Sequence, residues 1–251
     1  MIKLVFVLIL GLSLPLTLSF STALAFDATG VENFNEAKKI LSKKLNLFDF
    51  KTIYCGCQVR GKQIDLASCG YRVQKNQKRA LRLEWEHVVP AENFGKSFVE
   101  WREGSPTCIK RGHAFKGRKC AESNREFQRM ESDLYNLFPE IGELNGLRNN
   151  FSMAQLTGSK YDFGACKAKI EDRKFEPMDF AKGVVARTYM NFENRYPGHG
   201  VVSDKNRKLY EAWDKLYPVT PLECRRWRDF EAVMGYPHLF VGRCGLAGQK
   251  E

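Results

Sequence analysis

The sequence predicts an α+β fold, a mostly helical single domain with a small antiparallel sheet. Five segments carry apolar residues at helical spacing, and only two or three have the character of strands. Their order shows no regular alternation of strand and helix, which argues against a doubly wound parallel sheet.

The elements follow in chain order. Val31, Phe34, Ala37, Leu41, Leu45 and Phe48 fall on one face of an amphipathic helix. Strand character follows at Thr52 to Val59. It is clearest at Ala80 to Val89, where Leu81, Leu83 and Trp85 alternate with Arg82, Glu84 and Glu86. Ser123-Asn-Arg-Glu126 has the form of a capping box. Phe127, Met130, Leu134, Leu137 and Phe138 extend the predicted helix behind it to Pro139. Three further helices are expected at Pro177 to about Tyr196, at about Asp204 to Leu216 with a serine or aspartate cap, and at Pro221 to Met234, closed by Gly235 and Pro237.

Lys3, the apolar run Leu4 to Leu18 and the small-residue ending Ala23-Leu24-Ala25 predict a secretory signal peptide over residues 1–25, leaving one domain over 26–251. The run is short for a membrane span, and nothing basic follows it to stop transfer. The expected location is therefore periplasmic or secreted, with no stable membrane association once the signal is removed. The net charge is +11, and only Lys3 leaves with the signal. Such a surface favours polyanionic partners. Basic residues gather at Lys75 to Arg82, at Lys110 to Lys119 and at Arg225 to Arg228; each group can track phosphates or simply face solvent.

The eight cysteines, Cys55, Cys57, Cys69, Cys108, Cys120, Cys166, Cys224 and Cys244, are an even number in an exported chain, so four disulfides are expected. The absence of any Cys-x-x-Cys argues against a zinc site. Cys55 and Cys57 are too close to bridge each other and should take different partners.

Chemistry concentrates in Glu84-Trp-Glu-His-Val-Val-Pro-Ala91. Glu84 and Glu86 share one strand face, and His87 stands at the strand's end before Pro90 stops the ladder. A lone histidine is commonly a core or surface residue; paired carboxylates beside it point to acid–base or metal chemistry. In a regular strand Glu86 and His87 face opposite ways, so both reach one substrate only if the chain turns there. Asn145 and Arg148 lie in a glycine-containing segment that reads as a turn. Glu131 sits on the edge of a buried stripe, where its charge needs a partner, either in a salt bridge or at a site.

Beyond that string, Tyr54-Cys-Gly-Cys57, Ser68-Cys-Gly-Tyr71, Arg129-Met-Glu-Ser-Asp-Leu134, Gly142-Glu-Leu-Asn-Gly146, Ala186-Arg-Thr-Tyr189 and Tyr217-Pro-Val-Thr220 span nearly the whole expected mature chain. Together they resemble the bacterial endonuclease I family, periplasmic and secreted non-specific nucleases with a ββα-metal, or His-Me finger, active site. The resemblance implies that His87 is the general base and that Glu86 and Asn145 hold one Mg²⁺. It further implies that Glu84 and Glu131 support the metal's waters, and that Arg118 contacts the scissile phosphate. DNA, and RNA with it, would be the substrates, cut with little sequence preference to products carrying 5′-phosphates. Against the family pattern, the segment between Phe94 and Cys120 is longer, which leaves Arg111 as an alternative to Arg118; Tyr135 replaces a usual histidine and Leu147 a usual aspartate. Two other readings fit the charge: a secreted basic nucleic-acid-binding protein without catalysis, and a metal-dependent hydrolase of another anionic substrate.

Overall fold

In the computed structural model, residues 30–45 and 51–245 are described. The expected signal peptide, the far end of the predicted first helix and the last residues of the chain lie outside them. Helix α1 (Phe34–Lys44) starts where the side chain of Asn33 accepts from the Glu36 amide, and it buries Ala37 and Leu41. Strands β1 (Gln58–Arg60) and β2 (Gln63–Asp65) form a hairpin. The predicted strand from Thr52 is a turn up to Cys57, because Gly56 adopts a left-handed conformation and Thr52 closes the loop onto the Cys57 amide.

Short helix α2 (Gln77–Ala80) precedes β3 (Leu83–His87), the predicted Glu-His strand. Helices α3 (Ala91–Gly95) and α4 (Val99–Arg102), the small hairpin β4 (Ile109–Lys110) and β5 (His113–Ala114), and α5 (Arg118–Ala121) follow. Helix α6 (Arg125–Glu131) is capped by Asn124, which accepts from the amides of Glu126 and Phe127; Ser123 instead donates to the Cys120 carbonyl. A single asparagine cap, one residue later, therefore replaces the expected capping box.

That helix also ends sooner than its apolar spacing predicts. Ser132 turns its hydroxyl back onto the Gln128 carbonyl, Asp133 caps a short 3-10 turn, and Leu137–Ile141 becomes strand β6. Leu134, Leu137 and Phe138 are buried as expected, but on two different elements. Strand β6 pairs antiparallel with β3, setting Glu86 opposite Phe138 and His87 opposite Leu137.

Helix α7 (Gly142–Arg148) follows β6 directly, where the sequence suggested a turn. Its glycines serve close packing. A Cβ at Gly146 would stand 2.2 Å from the Arg79 guanidinium, and one at Gly142 2.6 Å from the Arg79 carbonyl oxygen. A three-stranded sheet joins β7 (Ser152–Met153) and β8 (Lys169–Glu171) on either side of β9 (Lys174–Glu176).

The three C-terminal helices match their expected spans closely: α8 (Asp179–Arg195), α9 (Asp204–Leu216) capped by Ser203, and α10 (Pro221–Met234) with a complete Thr220–Glu223 capping box and a left-handed Gly235. The fold is thus α+β, but in place of the one antiparallel sheet expected the described residues form four small sheets, and β7 pairs parallel to β9. One buried cluster centres on Tyr54, Phe127, Phe175 and Phe192; a second joins α1 to α10 through Leu41, Leu134, Trp227 and Phe230. Four disulfides tie these parts together: Cys55–Cys166, Cys57–Cys69, Cys108–Cys120 and Cys224–Cys244. Cys55 and Cys57 indeed take different partners, and no described cysteine is left as a thiolate for zinc. Among the described residues, no helix is long and apolar enough to cross a membrane.

Candidate active site

Strand β3, backed by its antiparallel partner β6, and helix α7 form one wall of a cleft of about 730 Å³. Glu84, Glu86, His87, Arg118 and Asn145 all line it, so the structure gathers five of the six sequence-predicted chemical residues. The sixth, Glu131, lies directly behind them. Arg111, the alternative to Arg118, sits in the turn of the β4–β5 hairpin and does not line the cleft.

His87 is the last residue of β3. Beyond it the chain leaves the ladder, pinned by Asn136, whose side chain accepts from the Val89 amide at 2.7 Å and donates to the Val89 carbonyl at 3.0 Å. This departure lets Glu86 and His87, neighbours in one strand, serve the same cleft. Nε2 of His87 stands 2.8 Å from the main-chain oxygen of Glu131. A carbonyl only accepts, so Nε2 carries the proton and Nδ1 keeps its lone pair. Burial, and then the Arg118 guanidinium, pull the imidazole pKa down to about 3, against the pull of the Glu131 carbonyl. The ring is neutral at physiological pH.

Glu86 is 2% exposed. Its Oε1 accepts from the Tyr54 hydroxyl at 2.7 Å and lies 3.0 Å from Nη1 of Arg148. Burial lifts its pKa to about 7, although Arg148 and Tyr54 oppose the rise. The same Arg148 guanidinium donates to the carbonyls of His87 and Val88, at 3.0 and 2.7 Å. A single buried arginine on α7 therefore holds both the carboxylate and the backbone at the end of β3.

Asn145, one helical turn before Arg148, donates from Nδ2 to Glu84 at 3.0 Å. Glu84 is also held by Arg79 and Arg82; burial raises its pKa, but these two guanidiniums outweigh that and keep it below the ordinary carboxylate value. With its amide nitrogen engaged, Asn145 presents its oxygen elsewhere. Among the described residues no hydrogen bond reaches that oxygen or Oε2 of Glu86. One carboxylate and one amide oxygen suit a hard divalent cation such as Mg²⁺, which keeps most of its waters and needs few protein ligands. No described cluster contains three or more His, Cys, Asp or Glu side chains placed to hold a metal.

Arg118, the first residue of α5, forms an ion pair with Glu131. Its guanidinium also lies 5.2 Å from the centre of the Phe34 ring, which itself stands 4.8 Å from the imidazole of His87. Phe34 belongs to the expected apolar stripe of α1, yet here it faces the cleft. Neither its periodicity nor its residue type distinguishes it from a core residue. Tyr54 and Asn136 were equally invisible as site residues, because each acts through a partner at least 32 positions away, and Arg148, noted beside Asn145, gave no sign of its contacts with Glu86 and the end of β3. Of the three basic runs, that at Arg225 to Arg228 is in part structural: Arg226 is buried and donates to the carbonyls of Leu134 and Leu137.

Comparison with known proteins gives one family and a consistent set of relatives. The family model described as Endonuclease I matches residues 31–244. Endonuclease-1 of Buchnera aphidicola subsp. Acyrthosiphon pisum is 41% identical over 222 residues, covering 86% of this chain and 83% of that protein. A periplasmic deoxyribonuclease of Aeromonas hydrophila is 37% identical over 237 residues, covering 92% and 93%, and an extracellular deoxyribonuclease from the same organism is 38% identical over 197 residues, covering 76% and 81%.

Proposed function

Because the chain belongs to the endonuclease I family, we propose that it is a periplasmic or secreted, Mg²⁺-dependent endonuclease that hydrolyses phosphodiester bonds of DNA, and also of RNA, with little sequence preference. The observation that carries this reading is the imidazole of His87, neutral and fixed by the Glu131 carbonyl with Nδ1 left as an acceptor, in a cleft shared with Arg118, Glu86 and Asn145. The order of β3, β6 and α7, with the histidine ending the first strand and the asparagine on the helix, supports reading the cleft as a ββα-metal site.

In this mechanism Nδ1 of His87 takes a proton from the attacking water. Glu131 holds the Nε2 proton in place throughout, so the ring approaches the water in a single tautomer. Arg118 neutralises charge on the phosphate oxygens, and its contact strengthens as charge builds up in the transition state. Glu86 and Asn145 would hold one Mg²⁺, which supplies charge neutralisation at the phosphate and the leaving oxygen when bound. Glu84 orients the Asn145 amide, and Arg148 with Tyr54 orients Glu86. As the water oxygen bonds to phosphorus, the bond from phosphorus to the 3′ oxygen breaks, that oxygen takes a proton from solvent water, and the phosphate stays on the 5′ side. The four disulfides suit an oxidising compartment.

The reading is tested by incubating oxidised protein lacking residues 1–25 with supercoiled plasmid and with RNA, in Mg²⁺ and in EDTA. Degradation in Mg²⁺ alone is expected. Equal degradation in EDTA would remove the metal from the scheme, and retardation of the plasmid without cutting would leave a binding protein in place of an enzyme.

A further inference from the structure

The β4–β5 hairpin has no part in the chemistry above, yet it is built as an outward-facing basic ribbon. Ile109 pairs with Ala114 and Lys110 with His113, around a two-residue turn of Arg111 and Gly112. Both turn residues have positive φ, 52° and 79°, the pattern of a primed hairpin turn. Such turns favour Asn or Asp before Gly; an arginine there places a Cβ in the left-handed region at a cost of about 1 kcal/mol. The backbone would be better served by another residue, so the arginine is there for its side chain.

A run of charge is usually a solvated face. Two features set this one apart. The neighbouring cations Arg102, Arg118 and Lys119 each pair with a carboxylate, whereas Lys110, Arg111 and Lys116 form no ion pair among the described residues. Ile109 is 59% exposed beside them, which a merely solvated face does not require. The hairpin is also anchored to the cleft. Cys108, just before β4, is bonded to Cys120 on α5, the helix that begins with Arg118. The Gly117 amide donates to the carbonyl of Trp101, which lines the cleft.

We infer that this hairpin is a substrate arm that enters a groove of duplex DNA beside the bond to be cut, with Lys110, Arg111 and Lys116 on the phosphates and Ile109 on the groove wall. The inference rests on the nuclease reading of the cleft. A two-stranded ribbon fits the major groove, about 12 Å wide, whereas single-stranded nucleic acid offers no groove to receive it. The disulfide makes the arm and Arg118 one mechanical unit, so docking of the arm sets the phosphate opposite the arginine.

The test compares the oxidised wild-type protein with a triple variant, Lys110→Ser, Arg111→Asn and Lys116→Ser. Binding is measured in EDTA by fluorescence anisotropy, on a labelled duplex of about two helical turns and on a single strand of equal length. The substituted side chains are exposed, and asparagine suits the left-handed position, so the melting temperature should hold. The variant should bind duplex at least about tenfold more weakly, with the slope of log K against log salt flattened by about 2–3, as expected for three lost phosphate contacts. The loss on the single strand should be clearly smaller. Arg111→Lys, which keeps the charge, should retain most of the affinity. Unchanged duplex affinity and slope would overturn the arm, and equal losses on both forms would overturn its groove docking. Because binding is measured without metal, these outcomes are independent of Mg²⁺-dependent plasmid cutting, which tests the nuclease reading separately.

Discussion

His87 and Glu131 are joined through the main chain: Nε2 of the imidazole lies 2.8 Å from the Glu131 carbonyl oxygen, and the carboxylate of that same glutamate pairs with Arg118. The end of α6 thus sets the tautomer of one residue and the position of the other. Glu131→Gln keeps the carbonyl and removes the charge. It should lower kcat on plasmid by about tenfold or more, equivalent to about 1.4 kcal/mol of lost transition-state stabilisation. The Arg118 side chain is 40% exposed and can be solvated, so stability should change by no more than about 1 kcal/mol. Unaltered kcat would show that Arg118 needs no tether.

Arg148 behaves differently because it is buried. Its guanidinium reaches Glu86 and the carbonyls of His87 and Val88, and lysine cannot reproduce that fork. Arg148→Met, which removes both the charge and the donors, should cost about 3–5 kcal/mol in urea unfolding, the range for breaking a buried pair by removing one partner. A loss below about 1 kcal/mol would mean that Glu86 is held by Tyr54 alone.

The disulfides should rank by the loops they close. Cys55–Cys166 spans 111 residues and Cys57–Cys69 spans 12. Loop-closure entropy gives about 4.7 kcal/mol for the long bridge and about 3 for the short one. Paired Cys→Ser variants compared in urea should show this order, and a reversed order would contradict the entropic account.

His238 provides a pH effect away from the cleft. It stacks on Trp227 with ring centres 4.1 Å apart, and its Nδ1 accepts from the Phe240 amide at 3.3 Å. Burial, then Arg226 and Arg187, depress its pKa to about 2. The unfolded chain binds a proton there below about pH 6.5 that the folded chain refuses. This contribution to stability is therefore complete above about pH 6.5 and declines as the pH falls towards 2, by at most about 1.4 kcal/mol per pH unit. His238→Phe should remove this component from the curve of stability against pH. Parallel curves for wild type and variant would show that His238 does not titrate on unfolding.

What was legible in the sequence was the local chemistry. The Glu84–His87 string announced itself by residue type, and Glu131 by a charge on an apolar stripe. Helices α8, α9 and α10 carried periodicity, caps and stops that agreed with one another. Misreadings arose where two explanations share one local signal. Gly146 suggested a turn, when it is small because Arg79 packs against α7. Leu134, Leu137 and Phe138 continued a helical spacing, but the pairing of Leu137–Ile141 with β3 overrode it. Phe34, Asn136 and Arg148 acquire their roles only through distant partners, and no local pattern encodes a contact 60 positions away.

The central claim is that His87 is the base. His87→Ala should reduce kcat on supercoiled plasmid in Mg²⁺ by about 10²–10⁴ while the variant still retards the plasmid on a gel, and added imidazole should restore part of the rate. A variant that cuts within about tenfold of wild type, with no response to imidazole, would contradict the account.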